Sequence, residues 1–466
     1  MARWSALLLY FWLAWPGAAH AQASAGEIVA KRATLAEPDQ QYSLFLPGGY
    51  GADKRWPVLI ILDARGRGEQ ILRLATDGAR ARGWIVISSY QSQSDVDENI
   101  TLRALQALLR ETGQRYAYDP KRIYLAGFSG TAKTLWTQVD PLRNVIAGMI
   151  GCGGGRPPEL GALRRAPPAF FGIAGTQDFN YQEMHDLDQD LARIGATRRL
   201  DVFDGPHSWP EAAVFTEAIA WLDLMAMRQG RMPRDEAWID EQFAARQAAS
   251  DRAQGLQRWR QLEQLARDFD GLRETHALRA SADALASQPS VRGALEEASR
   301  LRADERRSSA RLEDWIQRIG SRDMGGRRNA PPDVPTALRE LRIASLQELS
   351  RDANPAVADS AQRRLAYIKA ATGSYIPARY EAAEPEVARA LLQIALAIDP
   401  GLPAVHWRLA RVLARLGEAD AAFEELQAAR RLGYVNLEDM KSDRAWAALR
   451  SDPRWPAALA PIAERR

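Results

Sequence analysis

The chain has 466 residues, which is too long for one ordinary core and indicates two or three domains. Hydrophobic residues make up 46% of it and charged residues 26%, the balance of a globular protein and not of a disordered one. The 62 Lys and Arg against 59 Asp and Glu leave a formal charge of +3, and the arginines are scattered among acidic residues. That pattern indicates solvated helix surfaces, so no nucleic-acid partner is expected.

An apolar run stands near the N-terminus. It extends from Trp4 to Ala19, follows a short basic start and is followed by small residues at the spacing that signal peptidase reads. A membrane anchor needs roughly 20 apolar residues, and this run is shorter. We expect residues 1–23 to be a signal peptide cleaved after Ala21 or Ala23. The mature protein is then expected to be periplasmic or secreted, without a stable membrane span.

Short apolar segments alternate with amphipathic helical segments in the first half of the chain. This alternation predicts a mostly parallel sheet with helices on both faces, and segments that are apolar throughout are typical of strands covered on both sides. The predicted strands are Tyr42–Leu46, Pro57–Leu62, Trp84–Ser88, Arg122–Ala126, Val145–Ile150, Ala169–Ile173 and Leu200–Phe203. Residues 24–228 are therefore expected to form a doubly wound α/β domain.

The strand pattern disappears after this domain. Long stretches such as 235–265 and 272–302 are rich in Ala, Arg, Glu, Gln and Leu, which favour helix. Glycines and prolines between residues 325 and 335 indicate a loop between two helical blocks. We therefore expect an all-α region over residues 229–372.

The last hundred residues contain a weak repeat. Small and apolar residues fall near the positions typical of tetratricopeptide repeats at Leu409, Ala410, Leu413, Gly417, Ala422, Leu426 and Ala429. One full and one partial unit resemble that family, although about three repeats are usually needed for a stable stack. Residues 373–466 are expected to form such helices, meeting near Gly417 with this stripe facing inward. This region could offer a surface to a protein partner.

A candidate nucleophile stands directly after the fourth predicted strand. Gly127-Phe128-Ser129-Gly130-Thr131 separates that strand from a helical segment. A serine on so tight a turn has its hydroxyl exposed above the sheet, and small neighbours are needed because the backbones crowd there. Thr131 stands where the G-x-S-x-G motif ends in glycine. We interpret this departure as tolerable, because the position requires a small residue more than a special φ.

The same segment also fits a phosphate-binding P-loop with one mismatch. Residues Gly127 to Thr134 match that motif except that Ala132 precedes Lys133, where the motif has a glycine. That glycine lets the backbone amides surround a phosphate. The expected location outside the cytoplasm, where nucleoside triphosphates are scarce, argues against this interpretation. No later apolar strand ends in a metal-binding Asp, which argues against it as well.

A nucleophilic serine needs an imidazole base, and a carboxylate must orient that base. Beyond the expected signal peptide the chain has four histidines, His185, His207, His276 and His406. Two of them lie in the helical half, and His185 lies in a helical segment soon after Asp178. Only His207 follows a predicted strand, in a turn before the last helix of the domain. His207 is therefore the candidate base.

The carboxylate is expected in the loop after the strand that lies between serine and histidine in the chain. The strand Ala169–Ile173 leads directly to Asp178, which gives the order Ser, Asp, His. Asp201 and Asp204 are alternatives. The first of these lies inside a predicted strand, and the second is very close to His207 in sequence.

Negative charge that develops on an acyl oxygen must be met by fixed donors, typically two backbone amides. Removing one such donor can cost about 3 kcal/mol. The amide of Gly130 follows the nucleophile directly and is one candidate. The second donor is expected from the loop 63–68 after the second predicted strand, with Ala64 or Arg65 as the candidate.

The chain has a single cysteine, Cys152, so no internal disulfide can form. It stands in a glycine-rich segment, with no histidine placed like the base of a cysteine protease. We interpret Cys152 as a small buried residue at the end of a strand.

These motifs resemble the esterase side of the α/β-hydrolase superfamily, near polyhydroxybutyrate depolymerases and feruloyl or acetyl-xylan esterases. The resemblance covers less than half of the chain and rests on the segments 42–47, 60–63, 126–130, 175–178 and 205–207. It implies acyl transfer to water through an acyl-serine intermediate, without a metal or organic cofactor. The substrate would be an ester-bearing small molecule or a polymer-linked ester.

Two other functions stay open at this point. A serine peptidase or amidase of the same fold would use the same side chains and amides, so the sequence does not separate it from an esterase. A catalytically silent protein that binds a partner through its helical repeats is the other alternative. The presence of Ser129, Asp178 and His207 together argues against that second alternative.

Overall fold

The structure is a computed structural model that describes residues 25–94, 96–155, 167–320 and 331–460. The expected signal peptide, residues 1–23, lies outside the described residues and stays a prediction. Within the described ranges, none of the helices has the length and apolar character that crossing a membrane requires.

Eight strands form one mixed sheet in the N-terminal half. They are β1 Ile28–Ala33, β2 Gln41–Phe45, β3 Trp56–Leu62, β4 Ile85–Ser89, β5 Tyr118–Phe128, β6 Ile146–Cys152, β7 Ala169–Gly175 and β8 Arg198–Phe203. Their order across the sheet is β1-β2-β4-β3-β5-β6-β7-β8. The β1–β2 and β2–β4 pairs are antiparallel, and the other five pairs are parallel.

Five helices cover the two faces of this sheet. They are α1 Gly68–Arg82, α2 Glu98–Arg115, α3 Gly130–Thr137, α4 Tyr181–Arg193 and α5 Ala212–Arg228. One apolar core lies under α1 and α5, and a second lies under α2, α3 and α4. Along β3, Leu59 and Ile61 enter the first core, whereas Val58, Ile60 and Leu62 enter the second. A strand buried on both faces must be apolar throughout, which is why its sequence predicted it correctly.

All seven predicted strands are present, with somewhat shifted ends, and the sequence missed only β1. The side chains of β1 are half-buried or exposed, and β1 is one of the two edge strands of the sheet, with β8 at the other edge. Its apolar start is interrupted by Lys31 and Arg32, so it lacks a continuous apolar run by which it could be predicted. The expected doubly wound α/β fold is confirmed.

The core between the sheet and α5 continues beyond residue 228. Three further helices are α6 Glu236–Arg252, α7 Gly255–Asp268 and α8 His276–Ala286. Ile239 of α6, Leu262 of α7 and Phe269, which follows α7 directly, join the core that contains Phe171 of β7 and Trp221 of α5. The apolar side chains of these helices pack directly against those of the expected catalytic domain. The proposed boundary at 228/229 stays a prediction, and the core itself crosses it.

The rest of the described chain is helical, as expected. Its helices are α9 Pro289–Gly320, α10 Val334–Glu340, α11 Ile343–Leu349, α12 Pro355–Ala370, α13 Pro377–Tyr380, α14 Pro385–Ile398, α15 Pro403–Leu416, α16 Ala419–Arg431, α17 Leu437–Ser442 and α18 Trp455–Leu459. A π-helical turn spans Ala371–Tyr375, and a 3-10 turn spans Arg444–Leu449. Two apolar clusters hold this half together.

The helices α15 and α16 form the antiparallel pair that the repeat pattern predicted. They meet at Gly417, whose φ of 79° ends α15 in a left-handed cap. The predicted inward stripe is at most 4% exposed at every position, namely Leu409, Ala410, Leu413, Ala422, Leu426 and Ala429. This packing prediction is confirmed. The tetratricopeptide assignment and the protein partner stay predictions.

Candidate active site

Ser129 lies on the turn between β5 and α3. Its backbone has φ 56° and ψ −125°, a left-handed conformation that costs a residue with a side chain on the order of 1–3 kcal/mol. Its amide donates to the carbonyl of Cys152, 2.8 Å away on the neighbouring strand β6. The turn therefore holds the serine hydroxyl above the carboxyl end of the sheet, as the sequence predicted.

The threonine that departs from the serine motif ties this turn to the neighbouring strand. Thr131 Oγ1 accepts from the amide of Phe128 at 3.0 Å, and it lies 2.6 Å from the carbonyl of Leu62 and 2.8 Å from that of Phe128. Either carbonyl can take its single proton. At Gly127, in contrast, an added Cβ would lie 2.7 Å from the backbone of Ala132. The first glycine of the motif is therefore required, and the last one is not.

Ser129, His207 and Asp178 come together where β5, β8 and β7 end. Nε2 of His207 lies 3.0 Å from Oγ of Ser129, and Nδ1 of His207 lies 2.8 Å from Oδ1 of Asp178. Both distances lie within the range of about 2.6–3.2 Å that proton transfer requires. Asp178 is fully buried, and its Oδ1 also accepts from the amide of Asn180 at 2.7 Å. The three side chains thus form one continuous hydrogen-bonded chain.

A glycine run after β6 makes room for these side chains. A Cβ on Gly153 would lie 2.8 Å from Oδ2 of Asp178 and 3.0 Å from the imidazole of His207. A Cβ on Gly154 would lie 2.8 Å from the carbonyl oxygen of Ser129. Both glycines also have positive φ angles, of 58° and 157°. No other residue fits at these two positions without moving the hydrogen-bonded chain.

Two aromatic rings pack against the imidazole of His207. The ring centroids of Phe179 and Phe128 lie 4.2 Å and 4.6 Å from that of the imidazole. Aromatic packing of this kind restricts the rotation of the histidine side chain. This packing holds the imidazole of His207 toward Ser129.

Neither alternative carboxylate reaches the histidine. Asp201 binds Arg199 at 2.8 Å and Gln264 at 2.7 Å, on the side of the sheet covered by the later helices. Asp204 accepts from the hydroxyl of Thr176 at 3.0 Å. Both carboxylates therefore have other partners, and of the three candidates Asp178 is the one bonded to His207.

The P-loop interpretation does not fit the turn. Lys133, which would reach a bound phosphate, forms an ion pair with Glu183 of α4 at 2.8 Å. The hydroxyl of Ser129 is hydrogen bonded to His207. The segment is a tight strand-to-helix turn with one left-handed residue, whereas a P-loop is a wide loop that surrounds a phosphate.

The other three histidines and the cysteine thiol have surroundings that account for them without a role in the site. His406 binds Glu425 within the α15–α16 pair, and His276 begins α8. Burial lowers the pKa of His185 to about 3, with neighbouring arginines adding to the effect, so this side chain stays neutral. Cys152 is fully buried at the end of β6, as predicted, and burial together with the charge of Asp178 raises the pKa of its thiol. The thiol is therefore protonated at neutral pH and a poor nucleophile.

The buried carboxylate of Asp63 organises the loop after β3. Its Oδ2 accepts from the amides of Arg65 and Arg67, both at 3.0 Å, and from Nε of Arg67 at 2.8 Å. Its Oδ1 accepts from Nη2 of Arg67 and from Nε1 of Trp209, both at 2.7 Å. Burial alone would raise the pKa of Asp63, but the hydrogen bonds from Arg67 and Trp209 outweigh it and lower the pKa. The sequence did not indicate this role.

These bonds separate the two candidates for the second oxyanion donor. The amide of Arg65 already donates to Asp63, which favours Ala64 of the two, and the choice of donor stays a prediction. Ala64 lies in the same described loop, and its amide is not bonded to the Asp63 side chain. The carbonyl of Ala64 accepts from Ser94, whose Cβ lies 2.5 Å from the position that a Cβ of Gly130 would take. The Ala64 loop therefore lies beside Gly130. The amide of Gly130 stands at the start of α3, so it has no acceptor within the helix.

We expect Asp63→Asn to lower kcat by roughly 10- to 100-fold, less than the 10²- to 10³-fold loss of a whole oxyanion donor. A neutral amide cannot accept from all the donors that Asp63 binds, so the loop should shift. The backbone amide of Ala64 is still present, which limits the loss. Hydrolysis of a short-chain aryl ester measures the effect. Asp119→Asn, which disrupts a distant ion pair with Arg122, is the control and should leave kcat unchanged. Equal rates for both variants would contradict this role of Asp63.

Because folding lowers the pKa of Asp63, the stability that this carboxylate contributes to its loop should change with pH in a definite direction. A carboxyl whose pKa is lowered by folding contributes its stability above the pKa of the unfolded chain, near 3.8. That contribution is lost as the pH falls through the lower, folded value. The loop should therefore keep its order at neutral and mildly acidic pH, and release Arg67 only in strong acid.

No protein-family model matches this chain, and no curated protein matches its sequence. Solved structures do match it. A thermostable esterase is 19% identical over 42% of this chain and 62% of its own, with a TM-score of 0.33. An S-formylglutathione hydrolase from Staphylococcus aureus is 15% identical over 43% of this chain and 98% of its own (TM-score 0.35). Esterase 2 of Thermogutta terrifontis, phosphorylated by paraoxon, is 11% identical over 45% and 96% (TM-score 0.36).

These matches cover less than half of this chain, and the chain matches only about three fifths of the thermostable esterase. In the sheet of this chain, β4 lies between β2 and β3, so the spatial order of these two strands is the reverse of their order in the sequence. This topology in a mostly parallel sheet identifies the fold of the N-terminal half. The left-handed serine on the turn after β5 is the second identifying feature. By these two features, the N-terminal half of the chain has the α/β-hydrolase fold.

Proposed function

We propose that the protein is an exported serine hydrolase that cleaves carboxylic esters through an acyl-serine intermediate. Ser129 is the nucleophile, His207 the general base and Asp178 the residue that orients it. The amides of Gly130 and Ala64 bind the oxyanion. The observation that carries this proposal is the hydrogen-bonded chain from Ser129 through His207 to the buried Asp178.

The proposed reaction follows from this geometry. As Oγ of Ser129 attacks the ester carbonyl carbon, Nε2 of His207 takes the hydroxyl proton, and the two amides bind the developing oxyanion. Collapse of the tetrahedral intermediate breaks the bond to the alcohol, which leaves with the proton from His207. Water then repeats the two steps on the acyl-serine and releases the acid. The chain supplies every group used, so we propose no cofactor.

The export part of the proposal rests on the apolar N-terminal run alone. Expression of the full chain in a Gram-negative host, followed by fractionation and mass spectrometry of the N-terminus, tests it. A mature N-terminus after Ala21 or Ala23 in the periplasm is expected. A protein that keeps residues 1–23 would contradict cleavage and leave the hydrolase proposal intact.

Fluorophosphonate labelling of the purified protein tests the chemistry. We expect one label on Ser129, because the probe reacts with a serine that a histidine activates. A panel of 4-nitrophenyl esters and the matching anilides then compares ester with amide cleavage. Faster ester cleavage is expected. Comparable anilide cleavage would favour a peptidase or amidase, and a folded protein without label would favour a silent binding protein.

A further inference from the structure

Helix α12 of the C-terminal half packs against the turn that carries Asp178. Nη1 of Arg363, in α12, donates to the carbonyl of Thr176. The same guanidinium lies 4.1 Å from the ring centroid of Tyr181, the first residue of α4. Thr176 and Tyr181 stand on either side of Asp178 in the sequence. One guanidinium thus contacts both ends of the turn that holds the acid.

Arg363 is itself held by a buried ion pair. It is 7% exposed, and Glu305 of α9 is 4% exposed. Nε and Nη2 of Arg363 both donate to the Glu305 carboxylate, the first at 3.0 Å. A two-point contact between a planar guanidinium and a carboxylate fixes the orientation of both groups. The position of Thr176 therefore depends on two helices that lie more than a hundred residues further along the chain.

The Asp178 turn is bonded in turn to the loop that carries His207. The amide of Thr176 donates to the carbonyl of Phe203 at 2.8 Å, and the amide of Gln177 donates to that of Gly205 at 2.9 Å. A displacement at Thr176 would consequently move the acid and the base together. Contacts of about 3 Å tolerate little displacement, since a shift of 1 Å in a reacting group can lower the rate about 100-fold.

We propose that Arg363 is a positioning residue for the Asp178–His207 pair, and that α9 and α12 are thereby part of the functional hydrolase unit. This inference rests on the proposed function of the site. It gives the helical half a role in the reaction, independent of any partner that the half binds.

The test compares Arg363→Met in the full-length protein with Arg408→Met. Arg408 of α15 makes a similar set of contacts, to Glu381 at 2.8 Å and to the carbonyl of Gly373 at 2.7 Å, far from the site. We expect Arg363→Met to lower kcat roughly 10- to 100-fold with KM changed less than about threefold. Arg408→Met should leave both constants as in the wild type, even where it lowers Tm by a similar amount.

A double variant separates positioning from a general loss of structure. If Arg363 acts through Asp178, Arg363→Met should cause little further loss in an Asp178→Asn background, because residues that act as a unit are not additive. A full second loss would overturn the inference. So would a wild-type kcat for Arg363→Met.

A variant that fails to fold does not end the test. Arg363→Lys and Glu305→Gln keep most of the side-chain volume, and the same fall in kcat at constant KM is expected from each. Wild-type constants for both would overturn the inference. Absence of hydrolysis and of labelling in the wild type itself would instead remove the proposed function and this inference with it.

Discussion

Replacement of Ser129 by alanine is expected to abolish fluorophosphonate labelling and to lower kcat for ester hydrolysis by several orders of magnitude. In serine hydrolases, loss of the nucleophile costs on the order of 10⁶-fold, and what remains comes from substrate binding and the oxyanion donors. The Ser129 hydroxyl is hydrogen bonded to His207, so the loss has a direct physical cause. Steady-state kinetics with a short-chain aryl ester measures it.

Folding should be nearly unaffected by this change. Alanine keeps the Cβ of Ser129 and removes only the hydroxyl oxygen, which is hydrogen bonded to His207. The Tm of Ser129→Ala should therefore stay within a few degrees of the wild type. His207→Ala should show a similar kinetic loss, and the double variant should be no slower than either single one. A Ser129→Ala protein as fast as the wild type would show that Ser129 is not the nucleophile.

Asp178→Asn is expected to lower kcat by roughly 10²- to 10⁴-fold. Asparagine keeps the shape of the buried side chain but loses the negative charge beside Nδ1 of His207, so the imidazolium formed during the reaction is less stable. Steady-state kinetics with a short-chain aryl ester measures this loss.

The control for Asp178 is Asp201→Asn, which changes one of the two other carboxylates that the sequence allowed between serine and histidine. Asp201 binds Arg199 and Gln264 away from the site, so its removal should affect Tm more than kcat. A large kinetic loss in Asp201→Asn with none in Asp178→Asn would reverse the assignment of the acid.

The sequence predicted the parts of the fold and site whose causes are local. Strand β3 is apolar throughout because both of its faces are buried, and Ser129 stands on a turn whose small neighbours are required by close backbone contact. His207 was found by elimination, since few histidines follow a strand. These features could be predicted because each depends on a few consecutive residues.

Two residues that the sequence missed bind partners that are distant in sequence. Asp63 follows an apolar strand and binds the distant Trp209, and Arg67, four residues after it, was the one local signal for its role. Nothing near Arg363 distinguishes it from the other arginines of the helical half, because its partners Glu305 and Thr176 lie far away in sequence. Strand β1 was missed for a different reason, since Lys31 and Arg32 interrupt its apolar residues.

The core that crosses residue 228 has a consequence for how the protein is made. A chain is synthesised from its N-terminus, and domains generally fold in that order. Here the sheet can form first, but one face of α5 and β7 stays open until α6 to α8 arrive with Ile239, Leu262 and Phe269. A chain that ended at residue 228 would therefore keep this apolar face exposed, and the core is covered only once α8, which ends at Ala286, is in place.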